Sequence, residues 1–460
     1  MAIQSTDKEL GTAPVGKLLA KLAVPAVAAQ FINVLYNIVD RIYIGNIPGS
    51  GALALTGVGV TFPILMLISA FSAFAGMGGA PLASIQLGAG NKDGAERVLG
   101  NSFTLLLCSS LLLTVGFSIF KRPLLMAFGA SENTIAYAES YLSIYLIGTV
   151  FVQIALGLNT FISAQGHATV AMLSVLIGAI INIVLDPIFI FGFHMGVAGA
   201  AWATIISQAV SAVWVLIFLC GKKTSLRIRP KYMIFNKRIL GKIVALGSAP
   251  FIMQSTESLV SITLNSGLQK YGGDLYVGSF TIIQSVMQML VMPVQGITQG
   301  AQPIISYNYG ANQYGRVRET FFKLIKITML ITCTACVVTM LIPGLLARMF
   351  TQDAALVDIV KKMMPIFFAG IWAFGAQMAC QTTFLGLGQA KISLFLALLR
   401  KVFLLVPLAI ILPRITGSVI GIYAAEPVAD IIASCTTLAL FLFKYKKLLP
   451  VDKDASAKAV

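Results

Sequence analysis

Two short stretches hold groups that could do chemistry inside an otherwise apolar chain. Tyr36-Asn37-Ile38-Val39-Asp40 puts a carboxylate near the outer end of the first long apolar segment, and Asn182 and Asp186 stand four apart, on one helical face, in a later one. An acid at the centre of a membrane helix costs roughly 2.5 to 3.5 kcal/mol on translocon scales, so such residues face a bundle interior or a wet cavity and carry ions or protons. Thr204, on the segment that returns after Asp186, reaches the same level. The set Asp40, Asn182, Asp186 and Thr204 offers only carboxylate, amide and hydroxyl groups, with Arg41 as its one basic neighbour. Oxygen donors suit protons or hard cations such as Na+ and do not suit zinc or copper. Two carboxylates brought together in a low dielectric can also hold one proton between them. The bland alternative for Asp186 is a hydrogen bond to Asn182 and a neighbouring backbone group.

A second group comprises Glu257, Arg400, Glu426 and Asp430, all near mid-depth, with Glu426 and Asp430 on one helical face. One arginine among three acids predicts a buried ion-pair network whose main effect is structural. Glu257 is in addition a candidate for handling protons or cationic substrates. The candidates for lining a substrate cavity are Tyr36, Asn37, Tyr141, Gln284, Met287 and Gln288. Tyr141 belongs to an i, i+4, i+8 stripe with Tyr137 and Tyr145, which either lines a cavity or packs between helices. Met287, with Met289, Met292 and the glutamines 284, 288 and 295, makes a soft, partly polar face of the kind promiscuous sites use, although Met also fills core gaps.

No catalytic constellation accompanies these groups. His167 and His194 are the only histidines and sit at loop ends, without a Ser, Cys or metal-ligand partner at a telling spacing. Cys333 and Cys336 have CxxC spacing but no βαβ context. There is no HExxH, phosphate-binding glycine loop or ATPase motif. The expectation is therefore a protein that is not an enzyme, has no cofactor, and draws its energy from an ion gradient or from nothing.

The elements that must position these residues follow from composition. The chain has 460 residues, 57% hydrophobic and 11% charged, which describes an all-α polytopic membrane protein with about twelve spans. Residues 1–14 are polar and lack the apolar core of a signal peptide, so the first span is the insertion signal. The sequence also repeats. At a shift of 225, Gly16-Lys17 and Pro25 meet Gly241-Lys242 and Pro250; at 222, Gly78, Pro81, Ser84, Gly88 and Ala89 meet Gly300, Pro303, Ser306, Gly310 and Ala311. A period of half the chain makes two pseudo-symmetric six-helix bundles of like orientation, related by an axis along the membrane normal. We therefore divide the chain into a cytoplasmic tail (1–16), a first lobe (17–220), a basic linker (221–241), a second lobe (242–443) and a second cytoplasmic tail (444–460). The residue 225 after Asp40 is Asn265, so the first-lobe acid is not duplicated.

Orientation comes from the cations. Lys8, Lys17, Lys21, Lys444, Lys446, Lys447 and the basic residues of the linker fall on one side, which predicts that both termini are cytoplasmic in the inner (plasma) membrane. The net charge of +16 then serves topology and anionic membrane lipid, not nucleic acid. A monomer is the default.

The twelve spans in two halves, Tyr36-Asn37-Ile38-Val39-Asp40-Arg41-Ile42-Tyr43-Ile44-Gly45, Leu87-Gly88-Ala89-Gly90-Asn91 and Asn182-Ile183-Val184-Leu185-Asp186-Pro187 together resemble the multidrug and toxic compound extrusion (MATE) family. The likeness covers almost the whole chain. It implies a secondary antiporter exporting lipophilic organic cations in exchange for H+ or Na+. It also implies that Asp40, Asn182, Asp186 and Thr204 occupy first-lobe cation-site positions of the DinF/MepA-like branch, and that Glu257 matches an acid of the NorM-like branch. Span ten departs from that second branch, carrying Gln377 and Gln381 where it has an acid. The rival within the same superfamily is a lipid-linked saccharide flippase, whose cleft should be strongly cationic; a membrane-embedded enzyme is the rival of another class.

Overall fold

In the computed structural model the described residues are 9–450 without Lys223, and for Ser258, Asp274 and Lys446 the backbone alone. The ends of the two expected tails, 1–8 and 451–460, lie outside the described residues.

The chain is helical because a backbone in hydrocarbon must satisfy its polar groups within each segment. The first half runs through Val15–Gly45, Gly51–Gly88, Lys92–Ala127, a span bent by 59° between Ile135–Ile147 and Thr149–Ala164, then Ala168–Gly192 and Val197–Cys220. The second half runs through Lys237–Gly272, Asp274–Gly310, Tyr314–Leu341, a span broken at Phe368–Gly370 between Ala354–Phe367 and Ile371–Gly386, then Ala390–Thr416 and Ile420–Leu448. Among the described residues ten of these twelve segments are long and apolar enough to cross a membrane, the bent fourth counted as one. A break recurs in the fourth span of each half, and π turns interrupt the fifth span of each, at Ile188–Gly192 and Leu399–Leu405. Side-chain caps start several helices where the chain leaves the polar ends: Asn236 Oδ1 accepts from the amides of Arg238 and Ile239, and Asn91 Oδ1 from that of Gly94.

The two halves meet through glycine. A Cβ on Gly88 would collide with the carbonyl oxygen of Tyr307, and one on Gly310 with that of Ile85. The two glycines, and likewise the two carbonyls, are related by the shift of 222 that the sequence repeat carries. Only a residue without a side chain lets the second and eighth spans approach this closely. Ser84 adds a hydrogen bond to the Pro303 carbonyl (3.4 Å), and Phe71 and Phe74 pack edge-on to Phe251 at 5.0 and 5.4 Å.

Packing between the halves is also reciprocal. Leu18, Leu19 and Leu22, at the start of the first span, are buried in an apolar cluster with Ile304, Phe321, Phe384 and Phe441 of the second half. Ile243, at the equivalent place in the seventh span, is buried with Leu99, Leu158 and Phe161 of the first half. The segments leading into these spans cross over in the same sense. Asn308 and Arg316 donate to the carbonyls of Leu10 and Ala13, at 2.8 and 2.7 Å. The linker is stitched to the first half: Gln165 Oε1 accepts from Thr224, Ser225 and Leu226, Thr104 donates to Met233 O, and Arg229 pairs with buried Glu96 at 2.6 Å.

All these contacts lie in the half of the bundle that carries the chain ends. Gln30 and Gln299 bond across the halves at 3.3 Å, and beyond them the facing surfaces are exposed. Asn37, seven residues after Gln30, and Gln288, eleven before Gln299, lie on the same helical faces as those glutamines, and both are exposed. A cleft therefore opens away from the terminal end, walled by spans one, seven and eight.

Replacing Gly88 by Val should force the halves apart at the terminal end. Ser84→Cys, buried in the parent, should then react with a membrane-impermeant thiol reagent at least several-fold faster in the Gly88→Val background. Equal rates would show that the glycine contact does not hold the closure.

Candidate functional site

Spans one, five and six bring Asp40, Asn182, Asp186 and Thr204 together, and all four are buried. Helical spacing places Asn182 one turn before Asp186, so its side-chain amide can bridge: Nδ2 lies 3.4 Å from Asp186 Oδ1 and 3.4 Å from Thr204 Oγ1. Asp40 comes across from span one to stand beside Asp186, close enough for the two carboxyls to act on each other. Three oxygens, Asp40 Oδ1, Asn182 Oδ1 and Asp186 Oδ2, are buried without a hydrogen-bond partner. Buried carboxylate oxygens left this way need a proton or a cation among them, because two ionised carboxylates in contact repel. The donor set is all oxygen and fits H+ or Na+. Among the described residues no cluster of three or more His, Cys, Asp or Glu side chains fits a transition metal.

Tyrosines close the site. Tyr36 lies one turn before Asp40, Tyr141 stands beside Thr204, and Tyr145 is stacked on Tyr141 with ring centroids 6.1 Å apart. Tyr141 and Tyr145 are buried, so this part of the tyrosine stripe packs around the acids and does not face open water. Tyr145 belongs to the site although sequence reading placed only Tyr141 among the cavity candidates; the i, i+4 spacing was the available signal. Arg41 directs its guanidinium over the Phe62 ring at 5.8 Å.

The remaining cavity candidates divide. Asn37 and Gln288 are exposed on the cleft faces described above, Asn37 holding its own backbone through a bond to Asn33 O at 2.7 Å. Gln284 is partly buried, and Met287 packs against the apolar core of the second half.

In the second half Arg400 does bridge the two acids of span twelve, with Nε 2.6 Å from Asp430 and Nη2 3.0 Å from Glu426, and its guanidinium lies 4.7 Å from the Phe374 ring. Glu257 is held differently. Its partner is Lys401, at 2.7 Å, a residue absent from the expected cluster. Lys401 was legible as a cation within a span, but its direction was not: a π turn puts consecutive Arg400 and Lys401 on the interior, aimed at different helices.

His167 precedes the fifth span, where burial, with Lys21 nearby, holds its imidazole below the usual value and therefore neutral at pH 7.

Comparison with known proteins agrees with this architecture. The model of the MatE family matches residues 25–188 and again 250–411, with starting points 225 residues apart. The multidrug export protein MepA of Staphylococcus haemolyticus is 26% identical over 446 residues, covering 95% of each chain. A MATE protein solved in a bent conformation superposes with a TM-score of 0.90 at 24% identity, over 96% of this chain and 98% of that one. A MOP superfamily transporter from Pyrococcus furiosus, whose binding pocket is described as reversed in polarity, gives 0.89 at the same identity and coverage.

Arg400→Leu would leave Glu426 and Asp430 buried and unpaired. It should cost about 3 to 5 kcal/mol, read as a large fall in melting temperature of the purified protein. A variant as stable as the parent would mean that the pair is dispensable.

Proposed function

Because the chain belongs to the MatE family of multi-pass membrane transporters, we propose that it is a secondary active antiporter exporting lipophilic organic cations in exchange for H+ or Na+. The observation that carries this reading is the contact between Asp40 and Asp186, with three partnerless oxygens around it and no arginine or lysine among its hydrogen-bond partners. A structural acid would be neutralised as Glu426 and Asp430 are. This pair is left ready to take up a monovalent cation. Relatives named as multidrug export proteins over nearly their full length support the substrate class.

The terminal end, rich in Lys and Arg, is taken as cytoplasmic in the inner (plasma) membrane, so the cleft opens outward. The site lies behind span one, which forms a wall of the cleft. Taking up H+ or Na+ removes the repulsion between Asp40 and Asp186 and draws the outer half of span one onto span five. The start of that span stays with the second half, so the bend falls at Pro25, where the ring removes a helix hydrogen bond. This movement narrows the cleft and expels the substrate. Rocking of the lobes then releases the ion inward and reloads the cleft, within a single monomer. Exporting one monovalent cation against the membrane potential costs about 2.3 kcal/mol per 100 mV. One entering H+ or Na+ cancels that electrical cost and leaves the chemical gradient of the ion as the drive.

The test is efflux of a fluorescent lipophilic cation from proteoliposomes under separately imposed H+ and Na+ gradients. The parent should export under one of them. Asp40→Asn and Asp186→Asn should each lose at least about ten-fold of the rate while melting within a few degrees of the parent. Export under neither gradient, or undiminished in Asp40→Asn, rejects the reading.

A further inference from the structure

The linker does more than join the halves: it dips below the level at which the third span begins to be apolar. That span carries no charge for the 23 residues between Arg97 and Lys121, about 35 Å of helix, which matches the thickness of the hydrocarbon layer. Arg97 therefore marks the interface. Past that mark the linker lies against the span: a Cβ on Gly100 would collide with the Tyr232 carbonyl oxygen, Thr104 donates to Met233 O at 2.6 Å, and Asn101 accepts from the Asn236 amide at 2.8 Å. Thr104 is seven residues beyond Arg97, about 10 Å deeper. The chain thus descends to Met233, turns, and rises into span seven.

Two apolar side chains stand open at the turn, Ile234 at 79% and Phe235 at 43% exposure. Water is a poor solvent for both, and at this depth they meet acyl chains. Cations accompany them. Lys237 and Arg238, the first residues of span seven, are exposed, and Arg97 and Lys231 set their charges over the Tyr232 ring at 5.3 and 4.4 Å. Among the described residues none of these four is ion-paired with an acid, and Glu96 is taken by Arg229. Orientation alone does not call for this arrangement, since cations anywhere on the terminal end would set it without an apolar tip. The other half has neither part. The residues 225 before Ile234, Phe235, Lys237 and Arg238 are Glu9, Leu10, Thr12 and Ala13, Leu10 is fully buried, and the residue 222 after Arg97 is Glu319.

We propose that residues 233–238, with Arg97, form a binding site for an anionic phospholipid of the leaflet at the terminal end, the cytoplasmic one on the orientation taken above. The acyl chains lie against Ile234 and Phe235. The long stems of Lys237 and Arg238 follow the same surface upward and bring their charges to the phosphate at headgroup level, where Arg97 adds a third. A zwitterionic lipid supplies the same chains, but its own cation offsets its phosphate and leaves these charges unanswered. The site therefore selects by net charge. Bound lipid fastens the linker, and with it the start of span seven, to one leaflet while the lobes move. The site is independent of what the cleft carries and of which ion drives it.

The test puts a reporter at the tip with Phe235→Trp in the full chain, held in phosphatidylcholine nanodiscs. These contain a minor and equal mole fraction of either brominated phosphatidylglycerol or brominated phosphatidylcholine. The signal is quenching of the emission that the substitution adds to that of the three native tryptophans. Quenching should be at least about two-fold stronger with the brominated phosphatidylglycerol. Lys237→Gln combined with Arg238→Gln, in the same background, should bring the two lipids level, and Lys237→Arg should keep the preference. Quenching by neither lipid would put the tip in water or under another protein chain and overturn the proposal. A ratio below two-fold would leave an apolar contact without an anionic site and overturn it as well, as would a preference that survives the double substitution. The ratio before that substitution decides even where the doubly substituted chain does not fold.

Discussion

The structure depends on one constraint: an ionised group cannot stand alone in a low dielectric. The acids at depth among the described residues are therefore neutralised, and the two halves use different means. In the second half the acids meet protein cations, Arg400 with Glu426 and Asp430, Lys401 with Glu257. In the first half two acids meet each other, with an amide, a hydroxyl and tyrosines around them. On the proposed reading, neutrality there arrives from outside as H+ or Na+, and that half responds to the ion while the paired charges of the other hold still.

Reciprocal packing gives the response somewhere to go. Span one starts in the core of the second half, through Leu18, Leu19 and Leu22, and ends against Asp186 in the first. Span seven starts in the core of the first half, through Ile243, and ends in that of the second, through Leu264 and Leu268. Each crosses between lobes, and each carries a proline, Pro25 or Pro250, between its two attachments. Such a helix must bend when the lobes move, and a proline supplies the place at little cost because the hydrogen bond there is already missing. The straps that precede these spans, the N-terminal segment on Asn308 and Arg316 and the linker on Asn101, Thr104 and Gln165, fix the starts firmly. From Thr224 to Asn236 the linker is therefore packed as part of the first half.

Close approach at Gly88 and Gly310 sets which end of the cleft is shut. Dispersion between backbones falls off steeply with distance, and here small residues bring the second and eighth spans into direct contact. The aromatic group of Phe71, Phe74 and Phe251 sits above that contact and floors the cleft. The open region is then lined by polar groups, Asn37, Glu257 and Gln288, on otherwise apolar helices.

Much of this was legible in the amino-acid sequence. Hydropathy determines that the chain is a helical membrane bundle, and the shift of 222 to 225 determines two like-oriented halves, because a repeat of six spans returns to the same side. Asn182 and Asp186 share a face through local helical spacing, and the rarity of acids at depth marks Asp40. Only the tertiary structure decided that Asp40 meets Asp186, that Lys401 and not Arg400 holds Glu257, that the cleft is shut at the terminal end, and that Met287 packs into a core. The physical reason is common to all four. Periodicity fixes direction within one helix, but the rotation of one helix against another, the register change of a π turn and the tilt of two lobes depend on contacts between residues far apart in the chain.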